Sequence, residues 1–256
     1  MILEGIDISK WQTTTPSLSG REFAFVRATF GTAPDSAYAQ HAANVRAAGK
    51  VLGAYAFGVG GDPIAQANAF LATAKDAHLL ALDLERNTTG TSMTDAEASL
   101  FIATIHKAGR KIGLYHSLSG FPQALGQDWN WVAAWGSTAP SIPWAFWQYR
   151  GSPLDLDRFN GDLSALRRLA GIAPKHVVRV RPLVLWHRYA VSGTAARKVS
   201  RNPTVTGWHA NCSVPRTAWE NGARLSLVQV EKPGSKFDGW WVRADAWGIT
   251  VKEVIS

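Results

Sequence analysis

Acidic residues close three short apolar runs in this sequence. Asp7 and Ser9 alternate with Ile6 and Ile8, Asp83 and Glu85 follow Leu79-Leu80-Ala81-Leu82, and Asp155 and Asp157 flank Leu156. Carboxyls two residues apart on an extended segment leave the same face and interact. Like charges held together push one carboxyl toward its protonated form near neutral pH, and such a group can protonate a leaving oxygen. Glu85, with the longer reach of the central pair, is the candidate proton donor, and Asp83 is the second carboxylate. One isolated acid pair is as readily a surface feature or a partner for Arg86 or Arg27. Three acid-bearing runs in one chain point instead to a site.

Aromatic residues cluster in the same stretches: Tyr55, Tyr115, Trp131, Trp135, Trp147 and Tyr149. Trp and Tyr faces stack on pyranose rings while their polar edges reach hydroxyls, so the mixture favours a carbohydrate substrate. Some of these rings must fill a core.

The elements that carry these residues read as strands alternating with helices. Strand candidates are 6–8, 23–28, 51–57, 79–84, 111–115, 131–135, 145–149 and 154–157, with helical periodicity over 37–48, 64–75 and 94–108. Eight strands with helical crossovers predict a (β/α) barrel, where reactive groups gather at the C-terminal strand ends. Strands one and eight then adjoin, which sets Asp7 beside Asp155 and the Asp83/Glu85 pair across the mouth. The gaps after the fifth strand are too short for full crossovers, so the barrel should be trimmed on one side.

Beyond Gly171 and a short Pro-containing linker at 172–176 the pattern changes. Residues 177–181, 225–230 and 241–244 alternate with a period of two, and Lys232-Pro233-Gly234 and Asp238-Gly239 supply turns, the reading of a small all-β domain. The expected division is 1–171 for the barrel and 177–256 for the β domain. Charge divides the same way. The first 170 residues carry 14 Lys+Arg against 14 Asp+Glu, the remainder 13 against 5, so the whole excess of +8 belongs to the last third. A neutral barrel joined to a basic module fits a polyanionic partner: wall polymer, membrane surface or nucleic acid. Six tryptophans, Trp186, Trp208, Trp219, Trp240, Trp241 and Trp247, lie among these basic residues, a mixture that also suits stacked bases. The single cysteine, Cys212, excludes an intrachain disulfide and reads as a small core residue. No run approaches the ~20 apolar residues of a membrane span, and no export signal opens the chain. The expectation is synthesis in a cytoplasm and action after release.

From about residue 4 to 170 the chain resembles glycoside hydrolase family 25, the Chalaropsis-type lysozymes of bacteria and phage endolysins. The resemblance rests on Gly5-Ile6-Asp7-Ile8-Ser9, Gly53-Ala54-Tyr55-Ala56-Phe57, Ala81-Leu82-Asp83-Leu84-Glu85, Gly113-Leu114-Tyr115, Trp131-Val132-Ala133-Ala134-Trp135, Phe146-Trp147-Gln148-Tyr149 and Leu154-Asp155-Leu156-Asp157-Arg158-Phe159, in that order. It implies a trimmed barrel that cleaves the β-1,4 bond between N-acetylmuramic acid and N-acetylglucosamine, with no metal or organic cofactor. Glu85 then looks like the general acid, Asp83 like the second catalytic carboxylate, and Asp7 and Asp155 like acids lining the cleft. Tyr55, Tyr115, Trp135, Gln148 and Tyr149 look like substrate-binding residues. In related enzymes the substrate's own N-acetyl group is proposed as the nucleophile, oriented by an Asp beside the acid. Two departures are Ala56, where the family often has His, and Arg27, where it often has Lys. The last 80 residues loosely resemble a bacterial Src-homology-3-type domain. With the barrel beside it, that domain is expected to bind peptidoglycan and anionic wall polymers, not nucleic acid and not a membrane. A chitinase-like hydrolase and a non-catalytic glycan-binding barrel are the competing readings.

Overall fold

The computed structural model describes the backbone of residues 2–122, 124–172, 175–180, 187–192, 195–201, 209–212, 216–220, 223–231, 241–243 and 249–254, and in the last 84 residues side chains at 212, 217, 224–230, 241 and 242. The chain divides into two compact units, Met1–Ile172 and Ala173–Ser256.

The first unit is built on strands β1 (Leu3–Ile8), β2 (Phe23–Phe30), β3 (Ala33–Pro34), β4 (Val51–Phe57), β5 (Leu79–Asp83), β6 (Gly113–Ser117), β7 (Trp129–Ala133), β8 (Phe146–Arg150) and β9 (Asp155–Phe159). β1 pairs with both β2 and β9, which closes eight of these strands into a barrel, and β3 folds back on β2 as an appendage. Seven barrel strands run parallel. The last, β9, is antiparallel to both neighbours, β8 and β1. A barrel joined throughout by helical crossovers would have all eight strands parallel, and the reason for this departure is chain length. Only four residues separate β8 from β9, whereas a parallel return needs a dozen or more. Because β9 enters from the mouth, Asp155 sits at its start and still pairs with Asp7 at the end of β1.

Period-two alternation sends one set of side chains inward. Phe23, Phe25, Val51, Tyr55, Leu79, Ala81, Trp129, Trp131, Phe146 and Phe159 form the interior cluster, which α4 (Leu163–Leu169) joins through Leu166. Large rings face glycines across the ladder: Phe23 pairs with Gly5, Phe25 with Gly53 and Trp129 with Gly113. A Cβ on any of the three glycines would stand 2.2–2.3 Å from the facing ring, so the small residues are what admit the aromatic floor. The outward set, including Ile6, Val26, Leu52, Leu80 and Leu82, packs under α1 (Tyr38–Ala47), α2 (Pro63–Thr73) and α3 (Asp95–Lys107). Asp62 caps α2 ahead of Pro63, and Thr94 with Glu97 closes a capping box on α3. Among the described residues no helix intervenes between β6 and β9, which is the expected trimming.

The second unit, among its described residues, contains strands only: β10 (Lys175–Val180), β11 (His187–Ser192), β12 (Ala195–Arg201), β13 (His209–Cys212), β14 (Arg216–Glu220), β15 (Ala223–Glu231), β16 (Trp241–Arg243) and β17 (Ile249–Val254). They form an eight-stranded, mainly antiparallel sheet. β10 begins at Lys175, so the last two residues of the expected linker are strand. Leu225, Leu227, Val228, Val230, Val242 and Cys212 are buried. The expected turns at 232–234 and 238–239, and Trp186, Trp208, Trp240 and Trp247, lie outside the described residues, as does the side chain of Trp219.

Candidate active site

The upper ends of the barrel strands enclose a cavity of about 780 Å³, open to solvent on one side. Its walls include Asp7, Asp83, Glu85 and Asp155 together with Tyr55, Tyr115, Trp131, Trp135 and Gln148. Thus all four candidate carboxylates, and four of the five candidate substrate-binding residues, meet in one space. Tyr149 does not. On β8 the side chain of Gln148 points inward, so its neighbour Tyr149 points outward, where its hydroxyl donates to Glu4 at 2.8 Å and the Arg158 guanidinium lies 4.2 Å from its ring centroid. Trp147 is likewise buried outside the cavity, its indole N–H bonded to the Ala134 carbonyl.

Asp83 ends β5, and the next amide keeps the chain extended: Leu84 N–H donates to the Tyr115 carbonyl at 3.0 Å. Glu85 therefore leaves the same face two residues further out. The two acids differ in setting. Asp83 is buried and its Oδ1 has no hydrogen-bond partner. Burial first, then the charges of Glu85 and Asp7, raise its carboxyl well above the usual range, with Arg27 opposing. Glu85 is exposed by surface area yet stands between the cavity walls, so partial desolvation raises it, with His116 opposing. Asp155, half-buried, is pushed up to about 6 by desolvation and then by Glu85.

Asp7 heads a chain of polar contacts. Its Oδ2 accepts the Gln148 amide N–H at 2.8 Å, and Gln148 Oε1 accepts the Tyr115 hydroxyl at 3.0 Å and the Trp135 indole N–H at 3.2 Å. Burial, then Asp155, raise the Asp7 carboxyl, while the Gln148 and Asp157 hydrogen bonds oppose the shift. Trp135 lies just past the end of β7, not within it. It is 74 % exposed, a free ring face held at the cavity rim by its N–H.

Several further wall residues lie outside the expected set of site residues. Arg27 is a buried cation whose Nε pairs with Asp35 at 2.7 Å. Lys10 and Trp11 stand on the loop after β1, which is anchored by the Lys10 N–H on Asp35 and by His41 on the Gln12 carbonyl. Trp11 is 75 % exposed with the Lys10 ammonium 5.1 Å from its ring centroid. An aromatic directly after an acid-bearing strand was the available clue. Asn87, Thr88 and Thr89 line the cavity from the loop after β5, and loop polarity alone does not mark a site. Among the described residues no group of three or more His, Cys, Asp or Glu is arranged to hold a metal ion.

Paired acids of unequal burial, set opposite further acids in a trough walled by tryptophan and tyrosine, are the equipment for breaking an acetal between sugars. The class is that of the glycoside hydrolases. Residues 6–155 match the family described as Glycosyl hydrolases family 25, and the chain belongs to it. It is 29 % identical over 210 residues to lysozyme M1 of Streptomyces globisporus, which spans 66 % of this chain and 71 % of that protein. Among solved structures, a muramidase from Acremonium alcalophilum matches with a TM-score of 0.58 at 29 % identity, covering 66 % of this chain and 98 % of its own. The bacterial lysozyme of Streptomyces coelicolor matches with a TM-score of 0.57 at 27 % identity, covering 67 % and 98 %.

Proposed function

We propose that this chain is a peptidoglycan hydrolase of the N-acetylmuramidase type, cleaving the β-1,4 bond between N-acetylmuramic acid and N-acetylglucosamine. The observation that carries the reading is the convergence of Asp7, Asp83, Glu85 and Asp155 on one aromatic-walled cavity. Glu85 donates its proton to the glycosidic oxygen as the C–O bond breaks. Asp83 accepts a hydrogen bond from the acetamido N–H of the sugar being cut, for which its unpartnered Oδ1 is available. The acetamido carbonyl oxygen then attacks the anomeric carbon, giving an oxazolinium ion. Glu85, now a carboxylate, takes a proton from the water that reopens this ring, so the anomeric configuration is retained. Asp7 as an anion, with Asp155, stabilises the positive charge that develops on the sugar. Tyr55, Tyr115, Trp135 and Gln148 bind the glycan, and Trp11 extends the aromatic rim.

The test is mass spectrometry of borohydride-reduced products after peptidoglycan is incubated with the protein and with Glu85→Gln. New muramitol ends from the wild type alone support the reading. Glucosaminitol ends would indicate a glucosaminidase or chitinase-like enzyme, and no new ends from folded protein would indicate a glycan-binding barrel.

The second unit, with its excess of Lys and Arg, is proposed to bind anionic wall polymers through a Src-homology-3-like surface. Salt-sensitive sedimentation with intact walls, lost with walls stripped of phosphodiester polymers, is the expected result; retention by DNA instead would sink it. The setting proposed is phage-induced lysis, since the resemblance extends to phage endolysins. Expression in a bacterial cytoplasm should then lyse cells only when the membrane is also breached.

A further inference from the structure

One buried carboxyl takes no part in the reaction described above. Asp157 lies in the middle of β9, paired with Gly5 of β1 on one side and Gln148 of β8 on the other, and is 0 % exposed. Its Oδ1 accepts the Trp131 indole N–H at 2.8 Å. Its Oδ2 has no hydrogen-bond partner, and the Asp7 carboxyl lies next to it on the same barrel face, two residues beyond the Gly5 that pairs with Asp157, so that each perturbs the other's proton. Two ionised carboxylates only accept hydrogen bonds and repel one another, so a hydrogen bond joins this buried pair only when one of the two is an acid.

The surroundings decide which. Asp7 accepts a hydrogen bond from Gln148 and lines the open cavity, whose wall also carries Arg27. Asp157 has one indole N–H and no solvent, and a lone buried carboxylate is the costlier anion. We propose that Asp157 is a positioning residue which, as the carboxylic acid, donates its Oδ2 proton to Asp7 and holds Asp7 as an anion between Gln148 and the cavity. The effect extends further along the chain of contacts. With its amide N–H committed to Asp7, Gln148 turns Oε1 to the Tyr115 hydroxyl and the Trp135 indole, so the proton on Asp157 fixes the orientation of one cavity wall.

The titratable groups around Asp157 are Asp7 from β1, Asp155 from its own strand and Tyr115 from β6; Gln148 and Trp131 are neutral. Glu85 acts on Asp7 from beyond, and Arg27 is the cation near Asp83. Burial, then the Asp7 charge, raise Asp157 well above the usual carboxylate range, in keeping with the acid form.

Asp157→Asn keeps a donor at this position that never titrates, and Asp157→Leu removes the donor. The Asn variant is expected to stay within about threefold of wild-type kcat/KM with the acid limb of its pH profile in place. The Leu variant should move that limb upward by about one pH unit or more, because Asp7 loses the donor that favours its anion. A purely structural role would lower the rate without moving the limb, and an Asn variant that shifts like Leu would overturn the proposal. Infrared difference spectra at pH 7 give an arm that does not depend on folding of the Leu variant. A carboxylic-acid C=O band present in wild type and lost in Asp157→Asn is expected, and its absence would overturn the proton assignment. The kinetic arm rests on the hydrolase reading and the infrared arm does not. A wild type that cuts no glycan would therefore defeat that reading and leave the shared proton to be decided by the band.

Discussion

Replacing Glu85 with Gln removes one proton and keeps nearly the same volume and length at the cavity rim. The loss should fall on kcat, because Asp83 is buried while Glu85 is exposed, and in the proposed reaction Asp83 is engaged with the acetamido group and cannot take the donor's place. General acid catalysis by a positioned side chain supplies about 10²–10⁴ in rate, and a glycosidic oxygen leaves poorly without a proton, so a fall of about 10³ is expected. That is about 4 kcal/mol of barrier. KM should change by less than about threefold, since the amide still accepts and donates hydrogen bonds. Steady-state cleavage of a soluble peptidoglycan fragment, read by reducing ends, gives both constants. A second substrate sharpens the test. An aryl glycoside whose phenol leaves unaided needs little protonation, so on it Glu85→Gln should lose far less. Equal losses on both substrates, or more than a tenth of wild-type kcat on the natural one from folded protein, would refute the assignment of Glu85 as proton donor.

Asp83→Asn should lower activity by about 100-fold or more yet raise stability at pH 8 by about 1–3 kcal/mol, because it neutralises a buried acid. The native carboxyl is raised, so it binds its proton more tightly than the unfolded chain does. Its contribution to stability is whole below about pH 4 and is lost as pH rises through the native value, so the melting gap to the Asn variant should close toward pH 4. A gap independent of pH in calorimetry would contradict this account. Arg27→Met strands Asp35 without its buried partner and should cost about 3–5 kcal/mol, seen as a lower urea midpoint. Trp135→Ala removes an exposed ring face and should raise KM about tenfold with little change in melting temperature, whereas an unchanged KM would remove Trp135 from the binding surface.

The barrel was largely legible because its strands alternate strictly. Phe23-Ala24-Phe25-Val26-Arg27-Ala28 declares one face aromatic and the other small and aliphatic, and the structure gives the first to the interior and the second to the helices. The convergence of Asp7, Asp83, Glu85 and Asp155 followed from placing acids at strand ends. Strand direction was less accessible, since a period of two is the same read either way. The four residues between Arg150 and Asp155 held that information, because they permit only a hairpin. Tyr149 shows a second limit. An aromatic run says that rings are present, but one step along a strand decides between cavity and outer wall. Trp11 and the 87–89 segment belong to loops, whose shape is set by tertiary anchors such as His41 that no local pattern encodes.

The site and the fold make opposite demands on this barrel. Asp7, Asp83 and Asp157 are all buried, their carboxyls raised by desolvation and by one another, and Arg27, already paired with Asp35, is the cation among them. Three anions in that volume would be untenable, so the mouth must hold protons at neutral pH. Beneath it, Phe23, Phe25, Trp129, Trp131 and Phe146 form a continuous ring packing, with Phe25 stacked 4.3 Å from Trp131 and Phe146 edge-on at 4.9 Å. That floor packs the strands together directly beneath the buried acids. Trp131 joins the two layers, since the ring that stacks on Phe25 also donates its N–H to Asp157. The aromatic core thus aims the one donor that Asp157 has, and Asp157 in turn faces Asp7. A barrel with the same acids over an aliphatic floor would lack that donor, and its lower carboxyl would have no fixed position from which to order the acids of the mouth.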